Sequence, residues 1–217
     1  MSTLLEAQSY VGTNELCGSV QLEILKREGL LPHHHVLEIG CGCLSAGMHL
    51  IRSLNVGCYA GIEPNAWLVN AAMTDQSNRA IADQSEAVFL HNFNFDSILL
   101  NRQFDFVLSH SVLSHCDKAQ IVQYLGNVAR IISSTGKVVA SFRLTDPNEY
   151  GSSGSPDGKE SSCSGWQYPG TTFYRYSTIA DIANANGFIS SLRPQHTQLL
   201  TSLVPKDFHD WVVFERL

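Results

Sequence analysis

Apolar residues follow two spacings along the chain, and these spacings predict its secondary structure. Short runs that are nearly all apolar, such as HVLEI at 35–39, indicate buried strands, whereas apolar positions three and four residues apart indicate helices. The predicted strands are 35–39, 58–63, 87–91, 104–110 and 137–144, with two short late strands at 189–194 and 210–217. The predicted helices are 14–30, 45–54, 65–73, 118–132 and 177–188.

Punctuating residues predict where these helices begin and end. Gly29 is the predicted stop of the helix at 14–30, and the helix at 118–132 is predicted to end near Gly136. Ser177 is the predicted N-cap and Gly187 the predicted end of the last helix. Because strands and helices alternate at regular spacing, the sequence predicts an α/β fold. Its sheet is doubly wound and mostly parallel, with helices on both faces.

Length and composition indicate one globular domain over residues 1–217. The chain has 217 residues, of which 44% are hydrophobic and 16% charged. Its net charge of −6, without a basic stripe, argues against a nucleic-acid partner. We expect a helical N-terminal cap over 1–32 and a variable lid over 145–172, because the latter segment is rich in Gly, Ser and Pro.

The spacing of the six cysteines predicts that their thiols are reduced and that most of them are buried. None forms a C-x-x-C pair, and Cys41 and Cys43 lack a second ligand pair, so no metal is expected from the sequence. The chain shows neither a basic-then-apolar leader nor an apolar run near 18 residues, which favours a cytoplasmic protein without a membrane partner.

Glycines follow the first strand in the order Gly40, Gly42 and Gly47. Such residues suit a turn with an unusual backbone angle or a close approach to a ligand. The dinucleotide fingerprint places its third glycine where this chain has Ser45, which disfavours a pyrophosphate cradle. A ligand without phosphate and a plain tight turn both stay open.

Glu63 ends the second strand, and a carboxylate there suits two ribose hydroxyls. A glycine turn with a ribose carboxylate indicates an adenosine-containing cofactor without specifying which one. A solvated charge at the strand end is the alternative interpretation of Glu63.

Four motifs in order resemble those of class I S-adenosylmethionine-dependent methyltransferases of the small-molecule type. They are VLEIGCGCLSAG, GIEPN, FLHNFNF and FDFVLSHSVLSH. The resemblance is clear over residues 33–142 and looser over 173–217. It implies a seven-stranded sheet in the order 3-2-1-4-5-7-6 with strand 7 antiparallel. It also implies S-adenosylmethionine as cofactor and S-adenosylhomocysteine as product.

The resemblance also implies roles for individual residues. Glu38, Gly40, Gly42 and the Cys41 backbone would line the methionine end of the cofactor, and Glu63 would bind the ribose beside Pro64 or Asn65. Asn92, followed by Phe93, holds the place of the usual adenine-binding Asp, and its side-chain oxygen accepts the same hydrogen bond. A purely capping or turn-forming role is the alternative interpretation of Asn92. Ser109 and His110 would face the methionine portion and the reacting methyl.

Histidines and a set of larger side chains are the candidates for catalysis and acceptor binding. His110 and His115 are candidate general bases, with a structural role as the alternative for each. The predicted acceptor-binding residues are Tyr10, Arg143, Trp166, Tyr168 and Tyr174, although the aromatic residues of the lid also suit simple packing and Arg143 also suits a structural ion pair.

The sequence therefore predicts methyl transfer to oxygen or nitrogen of a small-molecule acceptor. Two alternatives stay open: another reaction of the same cofactor, and a non-catalytic partner subunit that keeps the fold. A nicotinamide oxidoreductase is disfavoured by Ser45 and by the lack of a separate substrate domain.

Overall fold

Seven strands form one sheet in the order β3-β2-β1-β4-β5-β7-β6. The computed structural model describes residues 3–12, 15–145, 171–205, 207 and 209–217. Strands β1 to β5 are mutually parallel, and β7 runs antiparallel to both of its neighbours. The predicted fold class and strand order are therefore confirmed. The strands are β1 Val36–Ile39, β2 Tyr59–Ile62, β3 Val88–Leu90, β4 Phe104–Ser109, β5 Ile132–Phe142, β6 Phe188–Leu192 and β7 Asp210–Arg216.

Eight α-helices and two 3₁₀ turns connect the strands over the described ranges. The helices are α1 Leu4–Val11, α2 Glu15–Arg27, α3 Gly47–Ser53, α4 Ala66–Ala72, α5 Gln76–Gln84, α6 Lys118–Ile131, α7 Tyr176–Ala185 and α8 Pro194–Leu203; the 3₁₀ turns are Ile98–Leu100 and Leu113–His115. In this part of the chain, no helix is long and apolar enough to cross a bilayer. The cytoplasmic location stays a prediction.

The sheet is buried on both faces, which is why its central strands consist mainly of apolar residues. All four residues of β1 are buried, and successive side chains point to opposite faces. Val36 packs in the core beneath α2, α3 and α8, whereas Leu37 and Ile39 pack in the core beneath α6 and α7. Glu38 therefore shares the face of Val36.

Several element boundaries differ from the sequence-based expectation. Helix α6 ends at Ile131, and β5 begins at once because Ile132 pairs with Phe104 before a bulge; Gly136 thus lies within β5. The predicted N-cap at Ser177 is wrong, since α7 starts at Tyr176 with Arg175 at its cap. Gly187 does follow the helix, with a φ of 80°.

Helices α5 and α8 were not predicted, and α1 was covered only by the general expectation of a helical cap over 1–32. Helix α1 has only eight residues and depends on a Thr3–Glu6 capping box, while α5 buries Ala82 alone. Pro194 was assigned to a late strand but starts α8, a position that proline favours. The predicted lid at 145–172 falls almost entirely on residues 146–170, which lie outside the described residues.

A buried carboxylate, Glu28, joins α2 to the amino-terminal edge of the sheet and to α8. Its oxygens accept hydrogen bonds from Lys137 Nζ at 3.1 Å, Arg193 Nε at 2.9 Å and His196 Nε2 at 2.8 Å. The bond from His196, together with those from Arg193 and Lys137, lowers the pKa of Glu28 to about 2 against the opposing effect of burial.

Glu28→Gln is expected to lower the free energy of unfolding by about 3 kcal/mol near neutral pH, because it leaves the partly buried cations of Lys137 and Arg193 without their carboxylate. Since the folded-state pKa of Glu28 is depressed, its stabilisation is present above about pH 4.5 and is lost as the pH falls toward about 2. Denaturant titrations across this range measure both effects. Glu23→Gln is the control, because the Glu23–Arg27 pair is about half exposed and contributes at most about 0.5 kcal/mol. Equal losses in the two variants would contradict the assignment.

Candidate functional site

A cavity of about 340 Å³ lies at the carboxyl ends of β1, β2 and β4. This is where open α/β sheets bind ligands, at the change in strand order beside β1. The structure brings most of the predicted site residues to its wall. These are Tyr10, Glu38, Gly40, Cys41, Gly42, Glu63, Pro64, Asn65, Asn92, Phe93, His110 and His115.

The glycine loop bends sharply between β1 and α3. Gly40 and Gly42 have φ values of 78° and 52°, in the left-handed region that favours glycine. A Cβ on Gly40 would lie 2.2 Å from Cγ2 of Val112, so a larger residue would not fit. The Gly40 amide donates to the Ile62 carbonyl at 2.8 Å, which ties the loop to the end of β2.

Glu63 connects the glycine loop to the end of β2. Its Oε2 accepts from the Gly42 amide at 3.0 Å, and its Oε1 accepts from the Asn65 amide at 2.9 Å. Burial raises the pKa of Glu63, while these two bonds lower it. Each carboxylate oxygen keeps a second acceptor position, so the group is held in place and can still accept hydrogen bonds from a ligand.

Glu38 belongs to β1, just before the glycine loop, and has a hydrogen-bond partner that the sequence did not indicate. Tyr59 donates its hydroxyl to Glu38 Oε2 at 2.6 Å. Burial raises the pKa of Glu38 to about 8, against the lowering effects of this bond and of His110. A cation bound in the cavity would favour the ionised form of Glu38.

His110 follows β4 and is fixed on several sides. Its Nε2 lies 3.2 Å from Oδ2 of Asp207, and its ring stacks on Trp211 with centroids 5.4 Å apart. The side-chain amide of Gln21 lies 3.3 Å from its Nδ1. The other oxygen of Asp207 pairs with His209 Nδ1. Sequence reasoning missed Gln21, Asp207 and His209, because no motif marks them and only the fold brings them to His110.

The ion pair with Asp207 determines the charge of His110. Burial lowers the pKa of His110, but the hydrogen bonds with Asp207 and Cys17 outweigh it and raise the pKa to about 9. The same pairing holds the pKa of the Asp207 carboxyl well below its usual range, although burial acts in the opposite direction. His110 thus carries a proton near neutral pH, which does not suit a general base.

His115 is the second histidine at the cavity wall. It ends the 3₁₀ turn Leu113–His115, which begins directly after Val112, and its backbone amide donates to the Val112 carbonyl at 2.9 Å. Ser111, just before this turn, has a φ of 56° and donates its amide to Ser141 Oγ at 2.8 Å. The chain therefore turns tightly after β4 and brings both histidines to one cavity.

Asn92 and Phe93 lie at the cavity wall beyond β3. The Asn92 side chain is tied to its own loop, because its Nδ2 donates to the Asp96 carbonyl at 2.8 Å and its Oδ1 accepts from the Asp96 amide at 3.2 Å. Phe93 is 78% exposed, so its ring is available to a ligand at the rim. Asn92 therefore does stabilise a turn, and its side-chain oxygen can still accept one further hydrogen bond.

The structure does not bring every predicted site residue to the cavity, whose described wall includes neither Ser109, Arg143 nor Tyr174. Ser109 shares the face of Val107, because side chains alternate along β4, and its Oγ lies 2.8 Å from the hydroxyl of Tyr124. Tyr174 is fully buried and donates its hydroxyl to the Cys116 carbonyl at 2.7 Å. Trp166 and Tyr168 lie outside the described residues.

Comparison with known proteins identifies the class of this domain. Residues 37–138 match the model of a family described as a methyltransferase domain. The chain contains a methyltransferase domain. The resemblance to methyltransferases noted in the sequence is therefore confirmed. No curated protein matches this sequence.

Solved structures share the fold of this methyltransferase at low sequence identity. Magnesium protoporphyrin IX methyltransferase from Synechocystis PCC 6803, with bound S-adenosylhomocysteine, aligns with a TM-score of 0.63 at 15% identity, covering 100% of this chain and 89% of that one. The DhpI complex with S-adenosylhomocysteine gives 0.62 at 14% identity, covering 98% and 92%. The mitomycin 7-O-methyltransferase MmcR gives 0.62 at 15% identity, covering 94% of this chain and 54% of that one.

Proposed function

We propose that this methyltransferase transfers the methyl group of S-adenosylmethionine to oxygen or nitrogen of a small-molecule acceptor. The observation that carries the proposal is the hydrogen bond from the Gly42 amide to Glu63 at the wall of the cavity. It places the glycine bend beside the acid that follows the second strand, which is the pairing of features that binds nucleosides in open α/β sheets.

The donor and acceptor groups on the wall fit this cofactor. Glu63 would accept from the ribose hydroxyls, and Phe93 would contact the adenine beside Asn92. Glu38 would face the methionine end, where its carboxylate complements an ammonium group. When bound, the cofactor supplies a methyl group on a positively charged sulfur, and the chain supplies alignment and electrostatics.

His115 is the histidine better suited to accept a proton from the acceptor. His110 shares the cavity, but its pairing with Asp207 keeps it protonated near neutral pH. A hydroxyl or ammonium acceptor must lose a proton, and a positioned base contributes about 10²- to 10⁴-fold to such a step. We therefore assign the role of general base to His115, and we assign to His110 the role of a positively charged group at the cavity wall.

Tyr10 would close the cavity over a small acceptor. It belongs to α1, lies at the cavity wall, and packs against Trp67 of α4 with ring centroids 5.2 Å apart. Neighbours named for magnesium protoporphyrin IX and mitomycin also support a small acceptor for this chain. Arg143, Tyr174 and the lid aromatic residues Trp166 and Tyr168 stay predictions from the sequence.

Calorimetry with S-adenosylmethionine and S-adenosylhomocysteine tests the cofactor assignment. We expect one equivalent of each to bind and to raise the melting temperature, with NADH as the negative control. Absence of binding by a folded chain would overturn the proposal. Methyl-labelled cofactor with candidate acceptors then separates methyl transfer from another reaction, because only transfer moves the label to the acceptor.

A further inference from the structure

Three potential metal ligands from distant parts of the chain meet beside the cavity. Cys17 lies on α2, His110 follows β4, and Asp207 precedes β7. Each offers one donor atom, and these atoms all lie within 4.8 Å of one another. The exposed fractions are 3% for Cys17, 5% for the His110 side chain and 11% for the Asp207 side chain. The cluster is therefore shielded from bulk water.

The separations approach those of a tetrahedral metal site. His110 Nε2 lies 3.2 Å from Asp207 Oδ2, and Cys17 Sγ lies 3.9 Å from that oxygen and 4.0 Å from His110 Nδ1. Ligands bound to zinc at about 2.0 to 2.3 Å stand about 3.3 to 3.6 Å apart. An imidazole ring binds one ion through one nitrogen, so Sγ would approach Nε2; since the three donor atoms lie within 4.8 Å of one another, the required contraction is at most about 1.2 Å.

Neighbouring groups orient the three ligands in the way that outer-shell partners do at metal sites. The second oxygen of Asp207 pairs with His209, which leaves Oδ2 directed at the cluster. Trp211 fixes the plane of the His110 ring. The Gln21 amide nitrogen lies 3.3 Å from Nδ1 and donates to Cys17 Sγ at 3.5 Å. A half-turn of this amide would give up the bond to Sγ and let its oxygen accept from Nδ1–H, so that Nε2 is left for a metal.

We propose that Cys17, His110 and Asp207 bind one divalent transition-metal ion of the zinc class. Imidazole, thiolate and carboxylate together are the ligand types that such ions select. A thiolate and a carboxylate also neutralise the two charges of the ion, as burial requires. The ion replaces the proton on His110 Nε2 that otherwise faces the Asp207 carboxylate. His110 also lines the cavity, so a water or acceptor atom can supply a fourth ligand.

Co²⁺ titration of the full chain without S-adenosylmethionine tests this site. We expect one equivalent to bind, with a thiolate-to-cobalt charge-transfer band in the near ultraviolet and visible bands of a tetrahedral ion. Cys17→Ser should abolish the charge-transfer band, and Asp207→Asn should weaken binding at least about 100-fold, because loss of a direct ligand exceeds loss of an outer-shell partner. Circular dichroism verifies that each variant is folded, and Asp207→Asn keeps the test valid if Cys17→Ser does not fold.

Cys58→Ser is the matched control, because its sulfur lies 3.7 Å from the His33 carbonyl beside the histidine run 33–35, which can itself attract metal ions. This variant should keep the charge-transfer band. A wild-type chain without the band, or a band that is lost in Cys58→Ser but kept in Cys17→Ser, would overturn the proposal. Because no methyl donor is present, the result is independent of the proposed function.

Discussion

Glu63→Gln is expected to weaken S-adenosylmethionine binding by at least about 100-fold. Hydrogen bonds to a charged group contribute about 1.5 to 3 kcal/mol, and the ribose would lose the charge from both of its bonds. The substitution also places an amide NH₂ against either the Gly42 or the Asn65 amide, both of which now donate to Glu63. The bend itself would then be less well held. Calorimetry of wild type and variant measures the affinity.

The control for this prediction is Glu86→Gln, because Glu86 is exposed and does not belong to the cavity wall. Its affinity for the cofactor should equal that of the wild type. If the folded Glu63→Gln chain binds S-adenosylmethionine as tightly as the wild type, the ribose assignment is wrong. The neighbouring glycine bend would then require another ligand.

His115→Ala is expected to lower the methyl-transfer rate by about 100-fold or more while cofactor affinity stays within about twofold. The reason is that His115 shares the cavity with the cofactor-binding residues, whereas the cofactor itself requires no base. Single-turnover rates with saturating cofactor measure the chemical step directly. Added imidazole should restore part of the rate, which a merely structural role of His115 would not allow.

His110→Ala and His49→Ala complete this experiment. His49 lies on α3 away from the cavity wall, so its removal should leave the rate unchanged. His110→Ala should lower the rate through loss of the charged wall, without rescue by imidazole at neutral pH. Full turnover in both His110→Ala and His115→Ala would remove histidines from the mechanism.

Local signals explain why much of this cavity could be predicted from the sequence. Gly40 and Gly42 stand out because left-handed turns favour glycine, and the position of Glu63 follows from the end of the adjacent parallel strand. These features depend on neighbouring residues in a regular pattern. Resemblance to a family added the antiparallel strand β7, which alternation of strands and helices alone does not specify.

Other features depend on the side-chain face or on distant contacts. Ser109 ends β4 at the cavity, as predicted, but its side chain points away from the cavity to α6. Because side chains alternate along a strand, a position one residue away would point to the opposite face. Asp207 reaches His110 only after β7 has inserted beside β5, so no local pattern marks it. Tyr59 is similar, because its bond to Glu38 requires β1 and β2 to pair in their observed register.

The buried carboxylate at the end of α2 has a mechanical consequence for the opposite edge of the sheet. Glu28 directly follows α2 and lies about 16 Å along the helix direction from Cys17, while Gln21 is on the helix itself. Rotation or sliding of α2 would displace both side chains relative to the His110 ring. That motion is resisted by the hydrogen bonds that the Glu28 carboxylate accepts from Lys137, Arg193 and His196. The charges around Glu28 thus help to hold Cys17 and Gln21 in position beside His110, although they do not line the cavity.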